Sequence, residues 1–183
     1  MKIGVYGSSS GSMGTQAMET ARELGRNIAR RGHTVITGGC AGIPHEAVLG
    51  AKEIGGKAIA YSSASSKALH VEGKMPTEGF TDYVFVPVDF ASASDVRVTR
   101  KYRNLSSVTA CDAAIFLCGQ FGTLNEFTIA YDLLRPCGVV LGTGGVADLL
   151  PELTRKIQKE PKPFMVFSSD LDYILDALEK AQK

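Results

Sequence analysis

The chain has 183 residues, 44% of them hydrophobic and 21% charged, the balance of an ordinary globular protein long enough to bury a sizeable core. Its formal net charge of +1 lacks the strong basic excess of a general nucleic-acid binder, and no apolar run is long enough to span a bilayer. Neither a nucleic-acid nor a membrane partner is therefore expected. The four cysteines (Cys40, Cys111, Cys118 and Cys137) and three histidines (His33, His45 and His70) show no metal-ligand spacing. No metal, cofactor or disulfide framework is expected, and reduced thiols fit a cytoplasmic protein.

In chain order, Lys2 to Tyr6 reads as a strand rather than a signal peptide, and Ala17, Ala21, Leu24 and Ile28 recur at helical spacing behind it. Thr34 to Thr37 is a second strand. The loop Gly38 to Gly42 leads into a helix with Ala47, Val48, Ala51 and Ile54, and Lys57 to Ala60 is a third strand. Residues 61 to 82 hold serines, His70 and Pro76 without periodicity and predict a long loop. Tyr83 to Pro87 follows as an edge strand because of its proline. Ser94 or Asp95 caps a helix carrying Val98, Tyr102, Leu105 and Val108.

Ala113 to Leu117 is then a buried strand, and Cys118-Gly-Gln-Phe-Gly-Thr-Leu-Asn-Glu126 opens an amphipathic run ending near Leu134. Gly138 to Leu141, a helix over about Val146 to Lys156, a strand over Pro163 to Phe167, and a last helix capped by Ser169 or Asp170 complete the chain. Strand and helix alternate throughout and the strands are almost wholly apolar. That pattern predicts a single α/β domain over residues 1–183, Rossmann-like, with a mainly parallel sheet between two helical layers. Ligands of such sheets bind beyond the strand C-termini, where three glycine-bearing loops fall.

Those loops are the candidates for phosphate. Gly7, Ser8 and Ser9 follow the first strand, within the stretch Gly7 to Gly14. Gly38 and Gly39 follow the second, with His45 as a further possible contact. Gly119, Gln120, Phe121, Gly122 and Thr123 follow the fifth. Small residues let the backbone approach an anion, and a helix N-terminus favours one there. Each loop taken alone also reads as a plain turn. Arg97, Arg100 and Arg103 share a helix face with Lys101 beside them, as either a solvated stripe or a phosphate clamp. Glu126 either faces the ligand or completes the capping box Thr123-Leu-Asn-Glu126.

Taken in this order, these residues resemble the Lonely Guy (LOG) family and its Rossmann-like relatives, some of which carry a lysine decarboxylase label. The matching stretches are Val5-Tyr-Gly-Ser-Ser-Ser10, Ala21-Arg-Glu-Leu-Gly25, Thr37-Gly-Gly39, Ala51-Lys-Glu-Ile-Gly-Gly56, Arg103, and the loop from Cys118 to Glu126 at the place of a PGGxGTxxE motif. The resemblance implies a phosphoribohydrolase that cleaves the N-glycosidic bond of a nucleoside 5′-monophosphate such as AMP, with Arg103 and Glu126 catalytic, acting as a homodimer. Cys118 stands in place of the motif's proline, Gln120 in place of its second glycine, and Asn104 in place of a lysine after the arginine. Pro44-His45 replaces a Met-Gly pair. These departures are similar to a branch that includes molybdenum cofactor carriers, which implies the alternative of a non-catalytic nucleotide or pterin carrier. No lysine lies in the glycine loops to form a Schiff base with pyridoxal phosphate.

Overall fold

A computed structural model describes residues 1–10, 14–157 and 159–182. Seven strands form one sheet: β1 (Lys2–Tyr6), β2 (Thr34–Thr37), β3 (Lys57–Tyr61), β4 (Asp82–Val84), β5 (Ala113–Leu117), β6 (Cys137–Val140) and β7 (Met165–Ser168). Their order is β4-β3-β2-β1-β5-β6-β7, and every neighbouring pair is parallel. The chain winds outward from β1 to β4, then returns to lay β5 against the other side of β1. The loops after β1 and β5 therefore diverge and leave a crevice between them.

The helices are α1 (Thr15–Arg30), α2 (Ile43–Glu53), α3 (Lys67–Glu72), α4 (Val96–Ala110), α5 (Phe121–Asp132), α6 (Gly145–Lys156) and α7 (Leu171–Ala181). Side chains alternate across the sheet and divide the core in two. Ile3, Val5, Ile115 and Leu117 meet Leu24, Ile28, Val48 and Ile174 from α1, α2 and α7. Tyr6, Ala114 and Phe116 meet Val108, Phe127 and Leu150 from α4, α5 and α6. Where α1 and α2 cross, a Cβ on Gly25 would run into the Ala47 carbonyl, and one on Gly50 into that of Arg22.

The segment 61–82 departs from the long loop expected of it. It contains α3, whose start is capped by Ser66 accepting from the Leu69 amide at 3.3 Å. Buried His70 pins this helix down: its ring nitrogens lie 2.8 Å from the Ser62 hydroxyl and 2.9 Å from the Pro76 carbonyl. A six-residue helix with one buried side chain carries too little periodicity to stand out in the sequence. Strand β4 ends at Val84 rather than Pro87, and it is an edge strand as its proline suggested. Asp95 and Asp170 are the caps of α4 and α7.

Candidate functional site

Three segments converge at the C-terminal edge of β1, β2 and β5, around a cavity of about 540 Å³. Gly7, Ser8 and Ser9 line it from the first loop, with Ser10 beside them. Gly11, Ser12 and Met13 of that loop lie outside the described residues. Gly7 sits where a Cβ would collide with Ile43 and the Leu117 carbonyl, so glycine lets the chain pass between α2 and β5. The Ile43 amide donates to the Ser8 carbonyl at 2.9 Å, which ties the start of α2 to this loop.

Gly38 lines the second wall, and Cys40 and Pro44 extend it. Gly39 does not take part: it has φ +61° and packs towards Ala60 and His70, behind the cavity. His45 is also directed elsewhere, with Nε2 3.0 Å from the Glu78 carbonyl and its ring stacked on Phe80.

The third wall comes from the loop after β5. Gln120, Gly122 and Thr123 line the cavity, whereas Gly119 and Phe121 do not. Gly119 is turned into the protein, its carbonyl accepting from the Val146 amide at 2.9 Å, while the Cys118 carbonyl accepts from the Ala147 amide at 2.9 Å. The N-terminus of α6 thus holds the β5 loop in place. Phe121 begins α5 and is 86% exposed. Cys118 adopts φ +55°, and its amide donates to the Thr143 hydroxyl at 2.8 Å. Gln120 caps α5 without a side-chain hydrogen bond, so the first-turn amides beside the cavity lack a side-chain cap.

Because α5 starts at Phe121, Thr123 lies inside its first turn and Glu126 inside its second. The capping box expected from Thr123-Leu-Asn-Glu126 therefore does not form. Glu126 lines the cavity instead and is 7% exposed. Burial pushes its carboxyl up to about 7, against the opposing pull of Arg103 and Lys101.

Helix α4 supplies the charge. Arg97, Arg100, Lys101 and Asn104 recur at i, i+3, i+4 and i+7 and all line the cavity. Arg103 joins them with its guanidinium against Gly38, donating from Nη1 to the Gly38 carbonyl. A Cβ at Gly38 would occupy the place of that guanidinium. Arg103 Nε is buried without a hydrogen-bond partner among the described residues.

Sequence reasoning singled out most of this wall but missed Met75, which reaches the cavity from the segment after α3. Nothing in the spacing of that segment marks it. Cys40, expected only to be a reduced thiol, lines the cavity as well. Among the described residues no group of three or more His, Cys, Asp or Glu is arranged to hold a metal ion, and no helix is long and apolar enough to cross a membrane.

Solved structures share this architecture. The protein TM1055 is 20% identical and superimposes with a TM-score of 0.81, covering 98% of each chain. The molybdenum cofactor binding protein from Rippkaea orientalis is 19% identical, with a TM-score of 0.73 over 100% of this chain and 97% of its own. DNA processing protein A from Helicobacter pylori, described for its single-stranded DNA binding mode, is 18% identical, with a TM-score of 0.68 over 98% of this chain and 80% of its own. At these identities the likeness is one of fold. The model of the SLOG cluster4 family matches residues 1–170, and the chain belongs to that family.

Proposed function

We propose that the cavity binds a nucleoside 5′-monophosphate or a phosphorylated ligand of similar size. The observation that carries this reading is the convergence of Arg97, Arg100, Lys101 and Arg103 on a cavity that the uncapped start of α5 also borders. Four cations and a helix N-terminus form a site for a compact anion. A volume of about 540 Å³ suits a small organic ligand. A single nucleic-acid strand would call for cations strung along an open track. Their convergence on one concavity favours a small molecule, in keeping with the balanced net charge.

Glu126 supports a second, catalytic reading, in which the bound nucleotide is cleaved to free base and ribose 5-phosphate. A water oxygen bonds to C1′ as the C1′–N bond breaks, the electron pair leaves with the base, and the base nitrogen takes up a proton in place of the one that Glu126 removes from the water and returns to solvent. Glu126 as carboxylate takes the proton from the water and stabilises the oxocarbenium-like transition state, while Arg103 holds the phosphoribosyl part. A carboxyl near 7 is matched to proton transfer at neutral pH. As a base it works when ionised, so the rate rises about tenfold per pH unit below 7 and levels off above it.

One experiment separates the readings. AMP is titrated into the wild type and into Arg100→Ala/Arg103→Ala, and ribose 5-phosphate release is followed with Glu126→Gln alongside. Loss of two charge-assisted contacts is expected to weaken binding by about 100-fold or more. Release that disappears in Glu126→Gln while AMP still binds supports the hydrolase. Binding without release in the wild type identifies a carrier, of a nucleotide or of a phosphorylated pterin. Failure of AMP and related monophosphates to bind rejects the nucleotide reading.

A further inference from the structure

We infer that Arg97, with Arg100 beside it, forms a second anion subsite in the cavity, and that the ligand carries a phosphoryl group beyond its 5′-phosphate. This rests on the monophosphate reading above and deepens it by naming the ligand class, a nucleotide with two phosphoryl groups.

The cations of the cavity divide into two pairs. Lys101 and Arg103, whose charge acts on Glu126, each have a partner in the protein: Lys101 Nζ lies 3.4 Å from Asn125 Oδ1, and Arg103 donates to the Gly38 carbonyl. Arg97 and Arg100 are exposed, line the same cavity, and make no side-chain hydrogen bond or ion pair among the described residues. The nearest carboxylate in sequence, Asp95, is occupied as the cap of α4, accepting from the Arg97 amide at 2.8 Å. Arginines elsewhere are held differently, for Arg22, Arg26, Arg30 and Arg31 all pair with carboxylates.

Local physics works against cations at these positions. Helix α4 begins at Val96 and has no acidic residue in its first turn. Arg97, Arg100 and Lys101 thus sit near the positive end of the helix dipole, where cations are unfavourable, and their i, i+3 and i, i+4 spacing sets like charges side by side. A bound anion offsets both costs.

Charge and spacing set the size of that anion. Glu126 is the only carboxylate lining the cavity among the described residues, against four cations. A phosphate monoester carries about −1.5 to −2 near neutral pH, which leaves part of the positive charge unmatched. A second phosphoryl group brings the site close to balance. On a helix rising roughly 1.5 Å per residue, the backbone of Arg97 stands about 6 Å before that of Lys101 and about 9 Å before that of Arg103. The four cations are therefore strung over more length than one tetrahedral phosphate covers.

The test is a calorimetric titration of AMP, ADP and adenosine 3′,5′-bisphosphate into the wild type, Arg97→Ala and Arg155→Ala. It is run without divalent cations at about 0.15 M salt, which screens remote charges, and each ligand is checked as intact afterwards. Arg155 is an exposed cation on α6 outside the cavity and controls for the loss of one charge. The wild type is expected to bind at least one of the doubly phosphorylated ligands about tenfold or more tightly than AMP. Preference for ADP places the second group in the phosphate chain, and preference for the bisphosphate places it on the ribose. Arg97→Ala should cut that preference about fivefold or more while Arg155→Ala keeps it. Arg97→Gln, which retains much of the side chain, takes its place should Arg97→Ala fail to fold. The inference is overturned if the wild type binds all three ligands within about twofold, or if both variants lower the preference alike. In either case binding of AMP leaves the monophosphate reading standing. No binding of any of the three rejects that reading and this inference with it.

Discussion

Glu126 is held in the cavity at a cost that pH reveals. Its carboxyl ordinarily titrates at 4.5 and burial raises it to about 7 in the folded protein. The folded state therefore holds this proton more tightly than the unfolded chain. The associated stability is fully present below 4.5 and is lost as pH rises through about 7. At 1.36 kcal/mol per unit, ionising Glu126 in place costs roughly 3 kcal/mol. Glu126→Gln keeps the shape and removes the charge, so it is expected to match the wild type at pH 4.5 and to exceed it by up to about 3 kcal/mol at pH 8. Urea midpoints at the two pH values measure this. An unchanged or lower midpoint at pH 8 would show that the carboxylate is well solvated or paired, and would remove the argument for a tuned group. This same residue marks where the sequence ran out: Thr123-Leu-Asn-Glu126 fits a helix cap by spacing alone, and only the start of α5 at Phe121 shows that it is not one.

The elements were legible where burial is uniform. Strands β1, β2 and β5 fall where their apolar runs placed them, because a parallel strand covered on both faces is apolar throughout. Helix α3 and Met75 were not, because what fixes them is the pairing of His70 with Ser62 and Pro76, a tertiary arrangement with no period. The second glycine loop was legible in outline only, since Gly38 meets Arg103 while its neighbour Gly39 turns away. Contact between α1 and α2 was likewise hidden, for nothing local distinguishes Gly25 and Gly50 from a tolerated helix glycine. Each faces a backbone carbonyl of the other helix, which cannot swing aside as a side-chain tip can. Gly25→Ala and Gly50→Ala are each expected to destabilise by roughly 1–3 kcal/mol, despite the better helix propensity of alanine. Because both substitutions push the same two helices apart, the double variant should lose less than the sum. Denaturant melts of the three variants test this, and a stabilised Gly25→Ala would refute the close crossing.

At the scale of the whole molecule, the family match ends at residue 170 and α7 begins at Leu171. Helix α7 is nevertheless part of the core. Ile174, Leu175 and Leu178 are fully buried with Ile3, Val35 and Ile115, and Arg31 at the end of α1 pairs with Asp172, Asp176 and Glu179. The ion pairs are partly exposed and contribute little. The three aliphatic side chains matter more: at about 1.5–3 kcal/mol each, their burial is comparable to the entire stability of an ordinary domain. Their loss would also open β6 and β7 to water on the face that α7 covers. We therefore expect residues 1–183 to behave as one cooperative domain in which α7 is indispensable. A chain ending at Asp170 should show no cooperative urea transition and should lose ligand binding, although every residue lining the cavity is retained. The milder Ile174→Ala is expected to lose about 2–5 kcal/mol while binding AMP normally once folded. If the shortened chain instead unfolds cooperatively and keeps its ligand, α7 is an accessory to a domain that ends with β7, and the site owes nothing to it.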